Sequence, residues 1–129
     1  MSQTEMSLAG MRCLVLDDEY LIALDIQTIL EAAGAAAVIC AANAVDALAA
    51  ISDGVAFDLA VLDLKLGGAA QTSATVAEAL AKHAIPFVFL TGIAADDTRF
   101  LSYPGAPVVE KPYQAELLLG AVFKALTAA

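Results

Sequence analysis

The sequence predicts an α/β fold built on a parallel β-sheet, and two observations support this prediction. First, short apolar runs typical of strands buried on both faces alternate with stretches of helical periodicity. Second, three of these runs end in polar residues, at Asp17 and Asp18, at Asp63 and at Thr91. Because parallel strands need right-handed crossover connections, helices are expected on both faces of the sheet.

The predicted elements alternate along the whole chain. Strands are expected at residues 12–17, 36–41, 58–63, 87–91 and 107–110. Helices are expected at residues 20–33, 44–52, 73–82 and 115–126, with a short or irregular fourth helix between the last two, at 96–101. Gly34 fits the residue that ends a helix, and Asn43 with Asp46 fits a helix N-terminus. If the strand order is 2-1-3-4-5, the order reverses between the first and the third strand.

The carboxyl ends of the predicted strands carry the candidate chemistry. In such sheets the binding crevice lies at these ends, where the strand order reverses, so Asp17, Asp18 and Asp63 are expected to meet. Clustered carboxylates repel one another unless a cation lies among them, and oxygen-only ligands suit Mg²⁺. Asp63 is interpreted as a nucleophile, with the Lys111 ammonium and the Thr91 hydroxyl beside it. Taken singly, each residue also fits a turn, a cap or a strand exit.

Composition and charge exclude several function classes. A chain of 129 residues fits one domain, with residues 1–10 as a flexible lead and 11–127 as the domain. The net charge of -9, with only six Lys and Arg, argues against a nucleic-acid surface. No apolar run is long enough for a membrane helix, and the N-terminus does not read as a signal peptide. The protein is therefore expected to be soluble and cytoplasmic.

Four further residues are interpreted as structural. Cys13 and Cys40 are expected to be buried, reduced thiols in strands, because their spacing does not support a redox pair. Glu19 is expected in the first turn of the first helix, where a carboxylate suits the dipole, and not as a direct ligand. His83, the only histidine, is expected at the surface or in a helix C-terminal turn.

Four segments resemble the receiver domain of two-component response regulators: LVLDDE at 14–19, VLD at 61–63, LTG at 90–92 and EKP at 110–112. The resemblance covers residues 11–127 and implies a flavodoxin-like, CheY-like fold. It implies that Asp63 accepts a phosphoryl group from the phosphohistidine of another protein. It further implies that the residues of the pocket hold Mg²⁺ and the phosphoryl oxygens: Asp17, Asp18, Asp63 and the backbone carbonyl of Lys65 for the metal, and Thr91 and Lys111 for the oxygens.

A narrower resemblance concerns PFVFLTG at 86–92 and LGG at 66–68, which are similar to the single-domain FAT GUY receivers of alphaproteobacteria. The implied partners are a sensor histidine kinase or phosphotransfer protein and an unknown downstream protein. The implied protein is a phosphoacceptor of a phosphorelay, not a turnover enzyme, and a monomer or weak homodimer. No effector domain is expected after Leu126, so the chain is expected to stand alone and to signal by protein–protein interaction or act as a phosphate shuttle or sink.

One position departs from the receiver pattern. Receivers place an aromatic residue three positions before the lysine, and its ring turns inward on activation, whereas this chain has Val108 there. One hypothesis is that switching proceeds by reordering of residues 92–105. Tyr113 is interpreted as a packing residue for the last helix. Leu119 and Phe123 fit either a wide buried helix face or a partner patch.

Three other functions are less favoured by the residues. A phosphatase-like enzyme with an aspartate nucleophile would want a second Asp two residues after the first, and the segment DLK at 63–65 lacks it. A nucleotide-binding site would need a glycine-rich loop after the first strand, where DDE stands at 17–19. A receiver-like fold that no longer takes phosphate is disfavoured because every required side chain is present.

Overall fold

The computed structural model describes residues 7–54, 56–64, 68–92, 103 and 105–128 of the chain. The strands in these residues are β1 (Arg12–Leu16), β2 (Ala37–Ala41), β3 (Leu59–Leu64), β4 (Phe87–Thr91) and β5 (Val108–Glu110). The helices are α1 (Tyr20–Ala32), α2 (Ala44–Ser52), α3 (Gly68–Lys82) and α4 (Ala115–Ala128). The expected short helix at 96–101 and the hypothesis about residues 92–105 lie almost wholly outside the described residues.

All five strands form one parallel sheet in the order β2-β1-β3-β4-β5, which confirms the predicted fold class and strand order. Successive side chains of β1 and β3 alternate between two apolar clusters, as period-2 strands buried on both faces require. On one face the sheet packs against α2 and α3, and on the other against α1 and α4. The helices therefore lie on both faces of the sheet, as predicted.

Local signals at helix ends are confirmed where they are strongest. Gly34, with φ of +111°, follows α1, and its N–H donates to the carbonyl of Glu31. The Asn43 side chain accepts a hydrogen bond of 2.8 Å from the N–H of Asp46.

The prediction for α3 is wrong in its start, because the helix begins at Gly68 and not at residue 73. The glycines at 67 and 68 favoured a loop, but Ala69, Ala70 and Gln71 are good helix formers.

The N-terminal segment contributes to the core. Leu8 is fully buried in the cluster that contains α1 and α4, and its N–H donates to the Ala33 carbonyl at 2.9 Å. Ala9 forms an antiparallel bridge with Ala35. Residues 7–10 thus pack against the fold, which differs from the flexible lead expected for them, and residues 1–6 lie outside the described residues. A single leucine between Ser7 and Ala9 is too short a pattern to predict this docking.

The prediction for the cysteines is half wrong. Cys13 in β1 is buried, but Cys40 in β2 is exposed; both are free thiols. The physical reason is that β2 lies at the edge of the sheet, where both Ile39 and Cys40 are exposed.

His83 is exposed just after α3, as predicted. In the part of the chain that the structure describes, no helix has the length and apolar character of a membrane span.

Candidate functional site

The register of the sheet brings Asp17 and Asp63 to adjacent positions. Leu16 pairs with Leu62, so the residue that follows each of them lies at the same level of the sheet. The N–H of Asp17 still donates to the carbonyl of Ala41, at 3.1 Å, and so continues the pairing of β1 with β2. Both aspartates are buried. The predicted meeting of the first and third strand ends is therefore present in the structure.

Thr91 and Lys111 are brought to the same edge of the sheet by β4 and β5. Thr91 pairs with Leu64 on one side and with Glu110 on the other. The backbone N–H of Lys111 donates to the Thr91 carbonyl at 2.7 Å, which anchors the residue after β5. Thr91 is fully buried, and the peptide bond between Lys111 and Pro112 is cis.

Three carboxylates cluster at these strand ends. One oxygen each from Asp17, Asp18 and Asp63 lies within 4.8 Å of the others. Asp18 is exposed, while the other two are buried, so the cluster opens to solvent on one side. This arrangement can accept a hard cation, because all its side-chain ligands are oxygens. The backbone carbonyl of Lys65, predicted to complete the set, lies outside the described residues.

The Lys111 ammonium lies against this cluster. Its Nζ donates to Asp63 Oδ1 at 2.7 Å and lies 3.7 Å from Asp17 Oδ2. Charge-assisted hydrogen bonds of this length between an ammonium and a carboxylate are among the strong ones in proteins. The predicted pairing of the lysine with the nucleophile candidate is therefore seen as a direct contact.

Glu19 differs from its predicted place. It precedes α1 as an extended N-cap residue and is not in the first turn. Its N–H donates to Asp17 Oδ1 at 2.9 Å, and its carboxylate reaches within 4.0 Å of the Lys111 ammonium. The physical reason is that the chain must turn away from the sheet after Asp18 before helical hydrogen bonding can begin. Glu19 thus adds negative charge at the edge of the site.

Asp17 shows what the cluster lacks. Its Oδ2 is buried and has no hydrogen-bond partner in the described part of the chain. Burial raises the pKa of the Asp17 carboxyl; the N–H of Glu19 opposes the rise, Asp63 adds to it, and Lys111 opposes it. A buried carboxylate oxygen without a hydrogen bond is costly. Among the described residues, the negative charge of the site therefore exceeds the positive charge that compensates it.

The raised Asp17 pKa predicts a dependence of stability on pH in metal-free buffer. An acid whose pKa is raised above its ordinary 3.8 keeps its proton longer in the folded state than in the unfolded state. Its contribution to stability is therefore full below pH 3.8 and is lost as the pH rises through the folded value. The Asn side chain of Asp17→Asn does not ionise, so the variant does not lose stability as the pH rises. We expect it to be about 1 kcal/mol more stable than the wild type at pH 7.

Urea unfolding with a chelator, from pH 3.5 to pH 7.5, measures this difference. The advantage of Asp17→Asn should shrink as the pH falls through the titration of Asp17. Asp53→Asn serves as a control, because Asp53 is an exposed residue at the end of α2. An Asp17→Asn variant that is less stable than the wild type at pH 7 would contradict the expectation.

Two residues beside the site were not predicted to belong to it. A cavity of about 350 Å³ opens between α1 and the segment after β5, and its lining includes Asp25, Lys111 and Tyr113. Tyr113 packs against the core, as predicted, but its hydroxyl oxygen is buried without a hydrogen-bond partner among the described residues. Helical periodicity places Asp25 on the exposed face of α1, and no sequence signal connects it with residues after β5.

The remaining sequence predictions concern side chains of β5 and α4. Val108 is half-buried, next to Phe89 in the sheet, and packs against the cluster that includes α2 and α3. Leu119 and Phe123 pack against the opposite cluster, which favours the wide buried helix face. The exposed leucine of α4 is Leu117 instead, with 60% of its surface exposed.

Comparison with solved structures gives relatives of this fold. The chain is similar to a response regulator receiver protein from Sinorhizobium medicae WSM419, with 27% identity and a TM-score of 0.81 over 95% of this chain and 98% of the other. A CheY-like receiver domain protein from Methanospirillum hungatei JF-1 shows 27% identity and a TM-score of 0.76 over 92% and 95%. The chemotaxis protein CheY4 from Vibrio cholerae, at 22% identity, shares the fold with a TM-score of 0.77 over 92% and 100%.

No family sequence model and no curated protein matches the chain. The narrower FAT GUY resemblance stays a prediction. The wider resemblance is confirmed, since the two solved structures at 27% identity are receivers and match this chain with TM-scores of 0.81 and 0.76. The chain thus has the fold of the CheY-like receiver domains of response regulators.

Proposed function

We propose that this chain is a phosphoacceptor of two-component signalling and that Asp63 receives the phosphoryl group. The observation that carries the proposal is the contact of Lys111 Nζ with Asp63 Oδ1, at 2.7 Å, within the cluster of three carboxylates. A nucleophilic carboxylate needs a nearby cation to offset the charge of the incoming group, and Lys111 supplies one. The likeness to receiver structures supports the same role.

In the proposed transfer, an Asp63 oxygen attacks the phosphorus of a phosphohistidine on a sensor kinase or phosphotransfer protein. The new bond joins oxygen to phosphorus, and the bond from phosphorus to the imidazole nitrogen breaks. The imidazole leaves with the electron pair and takes up a proton. Lys111 then binds a phosphoryl oxygen, and the Thr91 hydroxyl, fully buried at the end of β4, binds another.

The carboxylates fit a bound Mg²⁺ in the same proposal. The buried Asp17 Oδ2, which has no hydrogen-bond partner among the described residues, and the all-oxygen donor set match a hard divalent cation. Asp17, Asp18 and Asp63 would hold it, together with the proposed carbonyl of Lys65. When bound, such an ion offsets negative charge on the transferring phosphoryl group.

Phosphorylation would turn this chemistry into a signal. It adds about -1.5 to -2 charge at the carboxyl ends of the strands and creates new charge-assisted hydrogen bonds. A downstream protein would read the changed surface, or the phosphoryl group would pass to another carrier. In both cases the chain is an acceptor and not a turnover enzyme.

Transfer of radioactive phosphate tests the proposal. With a phosphorylated histidine kinase and Mg²⁺, we expect the wild type to become labelled and Asp63→Asn to lose essentially all label, because the amide is a poor nucleophile. Asp53→Asn, at the exposed end of α2, is the matched control and should label normally. Equal labelling of Asp63→Asn would refute the proposal. Steady release of product from a phosphomonoester would favour the phosphatase alternative instead.

A further inference from the structure

Glu19 occupies the N-cap position of α1, directly after the acidic pair at the end of β1. Its backbone is extended, with φ of -94° and ψ of 109°, and its side chain makes no capping hydrogen bond. Ser, Thr, Asp and Asn are the residues that cap helices well, and Glu is not among them. The Glu19 side chain therefore does not serve as the cap of α1.

The carboxylate of Glu19 contacts the lysine of the site. Glu19 Oε1 lies 4.0 Å from Lys111 Nζ, the same nitrogen that lies 2.7 Å from Asp63 Oδ1 and 3.7 Å from Asp17 Oδ2. The Glu19 side chain is 57% exposed, so solvent screens its contact with Lys111 more than the contacts of the two buried carboxylates. One ammonium is thus shared by two buried carboxylates and one exposed carboxylate.

Glu19 is close enough to Asp63 for its charge to act there. Both carboxylates contact Lys111 Nζ, at 4.0 and 2.7 Å, so their oxygens lie closer together than the Debye length of about 8 Å at physiological ionic strength. Within this length salt screens the interaction of two charges only in part. The Glu19 charge therefore favours a cation in the cluster and disfavours negative charge that is added to Asp63.

We propose that Glu19 sets the balance between the two ligands of this site: it strengthens binding of the divalent cation and weakens binding of the phosphoryl group on Asp63. The inference rests on the proposed function and deepens it. Phosphorylation adds about -1.5 to -2 charge at Asp63, and an ammonium that is also paired with Glu19 offsets less of this charge. Glu19 acts in part through Lys111 and is therefore a positioning residue.

Calorimetry on the full chain with Glu19→Gln tests this, first with Mg²⁺ alone and then with beryllofluoride, a mimic of an aspartyl phosphate, at Mg²⁺ concentrations that saturate both proteins. We expect Glu19→Gln to bind Mg²⁺ about two- to fivefold more weakly and beryllofluoride about two- to fivefold more tightly than the wild type, the size of a solvent-exposed charge interaction. Both differences should shrink at an ionic strength of about 1 M, where the Debye length is about 3 Å.

Two further variants separate the charge of Glu19 from its place at the helix end. Glu19→Ser removes the charge but supplies a better N-cap, so it should keep or raise the melting temperature and still show both shifts in affinity. Asp53→Asn is the matched control for loss of one carboxylate. Asp53 ends α2, which leads from the carboxyl end of β2 back to the opposite edge of the sheet, so this variant should bind both ligands like the wild type.

Opposite shifts of the two affinities in Glu19→Gln and Glu19→Ser would support the inference. Unchanged affinities, or a joint fall of both as expected for a merely structural role, would overturn it alone and leave the proposed function standing. Shifts that persist in full at high ionic strength would overturn it too, because they would not come from the charge. A wild type that binds no beryllofluoride would overturn the proposed function and this inference together.

Discussion

Replacing Lys111 by Gln is expected to lower the free energy of unfolding by about 2–4 kcal/mol in magnesium-free buffer. The Lys111 ammonium contacts the buried Asp63 carboxylate at 2.7 Å and lies 3.7 Å from Asp17 Oδ2. Its own side chain is 21% exposed, so solvent screens this contact only in part. Removing one partner leaves buried negative charge without compensation, which costs more than the pair itself contributes.

Urea unfolding with and without Mg²⁺ measures this effect. Because a bound divalent cation would replace the lost positive charge, Mg²⁺ should stabilise Lys111→Gln more than it stabilises the wild type. Lys124→Gln is the matched control, since Lys124 is an exposed lysine on α4. If both variants unfolded at the same urea concentration, the contact with Asp63 would not contribute to stability as argued.

Leu8→Ala is expected to cost about 2–3 kcal/mol, a large effect for a residue so near the N-terminus. The Leu8 side chain is fully buried among residues of β1, α1 and α4, and the backbone N–H is bonded to Ala33. Truncation to Ala removes apolar contacts within this core cluster and leaves a cavity there. The destabilisation by Leu8→Ala cannot exceed the free energy with which residues 7–10 dock onto the rest of the fold.

Leu117→Ala provides the control for Leu8→Ala. Leu117 is the same residue type with 60% of its surface exposed, and its truncation should change the free energy of unfolding by less than about 0.5 kcal/mol. Thermal or urea unfolding of the two variants side by side makes the comparison. Equal midpoints for both would mean that the N-terminal segment does not hold its place in solution.

The fold and most of the candidate site followed from local patterns in the sequence. Runs such as Leu59–Leu64 are apolar at consecutive positions because both faces of a central parallel strand are buried, and this is visible without any structure. The end of such a run marks the edge of the sheet, so Asp17, Asp63 and Thr91 could be assigned to one crevice from strand order alone. Helix caps such as Asn43 could likewise be predicted from neighbouring residues in the sequence.

Contacts between distant segments could not be predicted in this way. That Glu19 reaches the Lys111 ammonium and that Leu8 fills the core depend on packing across the fold. The exposure of Cys40 depends on which strand lies at the sheet edge. Such features do not produce a periodic pattern in the sequence.

The sequence by itself therefore determined the α/β architecture and the residues at the strand ends, because burial and turn chemistry repeat at short range. Only the tertiary structure decided which of these charged side chains contact one another. It placed the Lys111 ammonium against Asp63, Asp17 and Glu19, and it buried Asp17 Oδ2 and the Tyr113 hydroxyl without a hydrogen-bond partner among the described residues. Electrostatic balance depends on distances between side chains far apart in sequence, which only the folded chain defines.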